Sequence, residues 1–460
     1  MCGMKYVSID GMLIAYKEKP VWIKRLLMSI VHIMDYNYKA LSPGWQIYLV
    51  LSTVLLILNS VFRRDYGGVV LLGPYVAGIV FILPHIRGFF VKLYKGRIMI
   101  EDDPAILGKI TNIKISKEDV AYGFEYVADP YGGPGVVISR ALNDKMFLNS
   151  EYDILLKIDN KLRRYLIVKS LASRSEIYRP YIMGLFLRSL ISRNPLINEE
   201  KIGFCNSFWD EKKICEIYKT KYYYSLCSGD MAQSRVCREK GGVRHVIMEN
   251  KLIGSLNYDD EYCMMRPLND TVKPISLHGG VDLIGVSKDF FLRVSMQGKH
   301  TQFSNELKAP LGSGSMDWGD LRKADNLKSL IKISAVREFL EEWGRRHRIK
   351  ENIKIDDVLC IGFFRMPHRG GKPQFVVLCK FGNEDIHLRP DPAEVYTQEP
   401  EIDVCRFEVK NIGQLQCAVH KILKNEDKRN SVPLLGAMTC LRDAIIMRPA
   451  LISKVLGYVE

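Results

Sequence analysis

Between Leu327 and Gly344 three carboxylates cluster where an ordinary surface helix would interleave acids with lysine. Leu327, Leu330, Ile331, Val336, Leu340 and Trp343 recur roughly at helical spacing, and Gly344 is placed to stop the helix. Glu338, Glu341 and Glu342 stand at i, i+3 and i+4, so all three share one face. Acids so grouped repel one another unless a cation sits among them. Magnesium takes carboxylate oxygens and keeps positions open for water and phosphate oxygens. So held, a metal polarises a phosphoryl group and lowers the pKa of an attacking water. The pattern predicts a helix that grips a divalent ion and meets phosphate.

Arg337-Glu338-Phe339-Leu340-Glu341-Glu342-Trp343-Gly344 resembles the second half of the Nudix signature. That signature runs Gly, five residues, Glu, seven residues, then Arg-Glu-hydrophobic-x-Glu-Glu-x-Gly-hydrophobic. Upstream, Gly314 to Asp320 resembles its glycine loop, with Asp320 where Glu is usual and Pro310 ahead of it. The sequence departs from the signature twice: sixteen residues separate Asp320 from Arg337, and Arg345 fills the last hydrophobic position. A second alignment puts Ser329 at the usual Glu position; the upstream glycine favours Asp320. The resemblance implies magnesium or manganese on Glu338, Glu341 and Glu342. It also implies a catalytic group of Glu341, Glu338, Arg337 and Asp320, with Arg337 paired to Asp320. It covers roughly 246–460 and implies an α/β/α sandwich with a mixed sheet.

Neighbouring segments agree with such a sheet. Val281–Val286 and Phe290–Met296 read as paired strands, and Val358–Arg365 and Gln374–Phe381 as a hairpin across 368–372. That glycine-rich basic loop offers backbone donors and cations to an anion. Gly314, Arg365, Arg369 and Lys372 are therefore the candidate ligand-binding residues. As a plain hairpin turn the loop needs no such role. His300 and His368 are further candidates near the ligand, and Glu394, Glu399 and Glu401 form an acid cluster on a loop that could supply a base.

The N-terminal part carries a different expectation. Residues 45–62 and 66–86 hold no charged side chain, and each is close to the roughly 20 residues that cross a hydrocarbon core. The fold class they suggest is α+β with a two-helix transmembrane hairpin in 1–97, followed by a middle α+β region, 98–245, and the Nudix-like region. Basic flanks place both termini in the cytoplasm of a bacterial inner membrane, and no signal peptide is evident. Basic residues outnumber acidic ones, 66 to 52, giving a net charge of +14 that suits polyanionic partners but does not choose among them. Eleven cysteines without a CxxC pair speak against structural zinc.

This organisation resembles the membrane effectors of bacterial cyclic-oligonucleotide anti-phage systems (CBASS). It implies activation by a cyclic oligonucleotide from a cognate nucleotidyltransferase, self-association, and contact with membrane lipid; no DNA partner is expected. The alternative is a magnesium-dependent Nudix hydrolase of a nucleoside diphosphate derivative. A third reading is a metal-free binding module. Sequence alone leaves turnover open.

Overall fold

The computed structural model describes residues 113–159, 199–248 with short breaks, 277–296, 307–343, 358–382, 406–424 and 430–458, with short pieces at 4–9, 12–17, 98–102, 108, 110–111, 258–259 and 264–265. Its centre is a mixed sheet of eight strands. These are β1 (Glu125–Val127), β2 (Val136–Ile138), β3 (Gly280–Val286), β4 (Phe291–Arg293), β5 (Gly312–Ser315), β6 (Val358–Met366), β7 (Lys372–Lys380) and β8 (Arg406–Glu408). The order is β8-β4-β3-β7-β6-β2-β1, and β5 pairs with the outer edge of β3. Only β3 and β7 run parallel within this sheet. That pair is central, and β3 is buried along its whole length, as expected for strands covered on both faces.

Helices lie on both sides. Val281, Leu283, Phe375 and Val377 pack with α2 (Leu327–Trp343). Ile284, Val286, Val376 and Leu378 point the other way, onto α3 (Ile412–Leu423), α4 (Val432–Met447) and α5 (Pro449–Leu456). This is the alternation a pleated strand imposes. The sequence-based hairpin forms as β6 and β7, its turn closed by Gly370 and Gly371 at φ 69° and 79°, where a side chain would strain the backbone. The strand pairing around 287–289 forms more briefly, at Val286 and Leu292.

The sheet draws strands from both sides of residue 245. β1 and β2 extend it beyond β6. Phe124, Phe147, Trp209 and Phe208 interleave with Phe363 and Phe375 in one aromatic core. No residue of α2 is exposed: beside the sheet and the turn Trp318–Lys323, the strand Met12–Lys17 lies against it. Asn143 seals the join: its amide accepts from Phe363 N–H at 2.9 Å and donates to Phe363 C=O at 3.2 Å. A second sheet, Leu155–Ile158, Ile214–Lys221 and Glu200–Phe204, stands beside it.

The fold class expected from the sequence is corrected in one part. Among the described residues no helix is long and apolar enough to cross a membrane. The longest described, α2, has 17 residues and carries Lys328, Lys332, Arg337 and three glutamates, so neither its length nor its charge suits a lipid core. The architecture described is mixed α+β. The spans placed at 45–62 and 66–86 lie outside the described residues, as do Gly344, Arg345, His300, Glu394, Glu399 and Glu401.

Candidate functional site

α2 starts ten residues before Arg337, capped by Asn326, whose Oδ1 accepts from Ser329 N–H at 2.8 Å. Ser329 returns its hydroxyl to Asn326 C=O at 2.9 Å. Ser329 is therefore spent on the helix start, some two turns from Arg337. Asp320 comes from the 3₁₀ turn Trp318–Lys323 that precedes α2. The long interval between the two halves of the motif is taken up by this turn, the cap and the early part of α2.

Arg337 is the hub. It is buried, and its Nε and Nη2 fork onto Asp320 at 2.9 and 3.1 Å. Nη2 also donates to Ser315 C=O at 2.8 Å, while Nη1 reaches Glu338 Oε1 at 3.0 Å and Glu341 Oε2 at 3.3 Å. Asp320 additionally accepts from Ser334 Oγ at 2.7 Å and from Asp317 N–H at 3.0 Å. Its oxygens are fully engaged, which makes it the anchor of Arg337 and of the loop.

Glu338 and Glu341 converge on one guanidinium nitrogen, and Glu338 Oε2 and Glu341 Oε1 take part in none of these bonds. Glu338 Oε1 also accepts from Ser315 N–H at 3.2 Å. Glu342 lies one step along, with Oε1 accepting from Ser313 N–H at 3.3 Å. Gly314 does something the sequence reading did not foresee. A Cβ there would lie 2.1 Å from the Glu338 carboxyl carbon, so the missing side chain is the seat of that carboxylate.

The site is short of positive charge. Burial pushes the Glu341 carboxyl up to about 7; Arg337 opposes this, while Glu338, Asp317 and Glu199 add to it. A second cation comes from the strand Glu200–Phe204, where Lys201 bonds Asp317 directly and Glu199 at 3.4 Å. Burial disfavours its ammonium, but Asp317 and Glu199 outweigh burial and hold it charged. Lys201 escaped the sequence reading because nothing in 98–245 marks it; Asp317 lay inside the glycine loop but without an assigned role.

Three converging glutamates were expected to hold a metal. Among the described residues no group of three or more His, Cys, Asp or Glu side chains is arranged to hold one. Glu342 is turned to the backbone of β5, which leaves Glu338 and Glu341. Magnesium is commonly held by one or two carboxylates, with water and substrate phosphate completing the shell. Two carboxylates with an oxygen each to spare, one of them kept partly protonated by burial and then by its acidic neighbours, fit that donor set.

The basic loop residues are placed as follows. Arg365 is buried, donating from Nη1 to Asp119 Oδ2 at 3.1 Å and from Nε to Gly371 C=O at 3.1 Å. It fastens α1 (Lys117–Ala121) to the sheet. Arg369 Nε donates to Asp230 Oδ1 at 2.5 Å. Lys372 is buried with Nζ 2.8 Å from His278 Nε2. Asp282, His278, Gln374 and Asp230, given no site role by the sequence reading, join them in one polar cluster. The only sequence signal was Asp282 and Gln374 at strand positions that alternate with apolar ones; Asp230 lies in a turn and His278 ahead of β3.

No family model matches the chain, and no curated protein does. A solved structure with partial likeness is a Nudix hydrolase from Alicyclobacillus acidocaldarius. It is 15% identical, over 38% of this chain and 96% of that one, with a TM-score of 0.27. At that score the likeness carries no argument, and the functional reading stands on the side chains.

Proposed function

We propose that this chain is a divalent-metal-dependent hydrolase of phosphoanhydride bonds, Nudix-like in its site, acting on a nucleoside diphosphate derivative. One observation carries the reading: Glu338 and Glu341 lean together onto Arg337, which Asp320 fixes from the far side. When bound by Glu338 and Glu341, the metal supplies charge for the phosphate oxygens and a more acidic water. Arg337 holds the two carboxylates in register. Glu341 is the proton acceptor: it takes the proton of the attacking water as the new P–O bond forms and the bridging P–O bond breaks. The departing phosphate carries the electron pair of the broken bond. Lys201 and Asp317 brace the loop that carries Asp320 and shield it from solvent.

The cyclic-oligonucleotide effector reading drew on a membrane hairpin, and no described element adds to it. The hydrolase reading needs no such element. Its test is hydrolysis by the full chain, with magnesium and then manganese, across nucleotide sugars, ADP-ribose, NAD and dinucleoside polyphosphates. Glu341→Gln should lower the rate about 10²–10⁴-fold while the chain still melts cooperatively and no lower than wild type near neutral pH. No turnover of any substrate by the wild-type chain, or equal turnover by the variant, refutes the proposal.

A further inference from the structure

On the face of the sheet opposite α2, the start of β7 and the residues leading into β3 hold a buried polar cluster. Lys372 and Gln374 alternate with apolar Phe375 and Val377, and His278 and Asp282 alternate with Val281 and Leu283; all four are at most 3% exposed. Arg369 and His368 cover them from the 3₁₀ turn Pro367–Arg369, and Asp230 pairs with Arg369 at 2.5 Å. The Tyr222 ring lies 5.6 Å from that of His278.

The hydrogen bonding is incomplete: among the described residues Asp230 Oδ2, Asp282 Oδ2 and Gln374 Oε1 are buried without a partner, as are two imidazole nitrogens. Lys372 has no carboxylate within ion-pair distance among the described residues; its contact is His278 Nε2 at 2.8 Å. When Lys372 is protonated it only donates, so Nε2 accepts and the imidazole proton sits on Nδ1. That Nδ1 is buried and has no partner, and neither has His368 Nδ1. Burial first, and then Lys372, Arg369 and Lys201, disfavour charge on His278, so the ring is neutral. Asp282 Oδ1 is taken by Ser313 Oγ at 2.7 Å and Gln374 Nε2 at 2.8 Å, and burial pushes the Asp282 carboxyl up to about 7. Burial, and then Arg369, push the Lys372 ammonium down to about 7 against the pull of Asp230 and Asp282, and an anion placed beside it and the imidazole N–H would hold it charged.

We propose that Lys372, His278 and Arg369 form an anion-binding site that takes a phosphoryl oxyanion, separate from the carboxylates of α2. The donors are side chains fixed by two neighbouring strands, and β5 links the two sites: Ser313 Oγ binds Asp282 while its N–H binds Glu342. The site does not depend on the hydrolase reading, and its test is run without metal.

Inorganic phosphate and, in a second arm, AMP are added to the full chain in EDTA near neutral pH, with chloride at matched ionic strength as control. Phosphate raises the melting temperature of the wild-type chain and of Glu341→Gln equally, and chloride does not. Lys372→Met melts no lower than wild type without ligand and loses the phosphate shift; Lys372→Gln serves if the Met variant does not fold. A lower half-saturation with AMP assigns the anion to a nucleotide, and equal values assign it to free phosphate; either supports the site. No phosphate shift in the wild-type chain, an equal shift from chloride, or an undiminished shift in the Lys372 variants overturns it.

Discussion

Gly314 and Glu338 occupy one space: a Cβ on the glycine would stand 2.1 Å from the carboxyl carbon of the glutamate. The strand and the helix approach so closely because β5 has no side chain there. At Gly312, two residues earlier, an added Cβ would likewise stand 3.2 Å from the Phe339 Cα and 3.3 Å from its N.

Gly314→Ala should therefore expel the Glu338 carboxylate. Glu338 would lose its bonds to Ser315 N–H and Arg337, and one carboxylate of the proposed metal pair would be displaced. Hydrolysis is expected to fall at least about tenfold, which a shift of ~1.4 kcal/mol in the barrier would produce. Steady-state rates for Gly314→Ala and, as a control, Gly319→Ala measure this; Gly319 has open space around it and should tolerate the change.

Asp320→Asn keeps the shape of the Arg337 anchor but removes its charge. Breaking one partner of a buried ion pair typically costs ~3–5 kcal/mol. The remaining acids around Arg337 should hold the loss near the lower end. Denaturant unfolding of the variant checks the figure. Arg337→Lys should be as damaging, because an ammonium cannot reproduce the fork onto Asp320 together with the bonds to Ser315 and Glu338.

Glu341 gives a pH signature. Its folded carboxyl sits near 7, above its unfolded value of 4.5. The folded chain therefore holds the proton more tightly, and stability from this group is full below about pH 4.5 and lost as pH rises through about 7. Glu341→Gln should remove that slope. The variant is expected to gain on wild type at about pH 8 and not at about pH 4, as read from melting temperatures across the range. Magnesium should recover part of the loss at about pH 8 for wild type alone, since it binds the ionised form.

The Asp119–Arg365 pair, 3% and 1% exposed, ties α1 to β6. Arg365→Met should destabilise by about 3 kcal/mol, because it strands the buried Asp119 carboxylate. Adding Asp119→Leu should restore much of that. A double-mutant cycle in urea reads the coupling directly, and a value near zero would mean that the middle region is not fastened through this pair.

Much of the acid constellation was legible because it is local. Helical spacing put Glu338, Glu341 and Glu342 on one face, and the β6–β7 hairpin announced itself through two apolar runs around adjacent glycines. What escaped was long-range. Lys201 reaches Asp317 from 116 residues away, and β1 and β2 join the sheet from far upstream of β6. Glu342 shares the helix face with Glu338 and Glu341 yet is drawn to the backbone of β5, which no helical wheel contains. Arg365, read as a ligand contact from its place beside a basic loop, finds Asp119 across 246 residues instead. The charge-free stretches before residue 90 obey a length rule for membrane spans, and no described helix follows it.

Manganese titrated into the full chain, followed by electron paramagnetic resonance, probes the carboxylate pair most directly. Wild type should bind the ion at one tight site, strengthened by a non-hydrolysable nucleoside diphosphate analogue, and Glu338→Gln or Glu341→Gln should each weaken it at least about tenfold, ~1.4 kcal/mol. Binding that survives both substitutions unchanged, or no binding by the wild-type chain with the analogue present, would contradict the account.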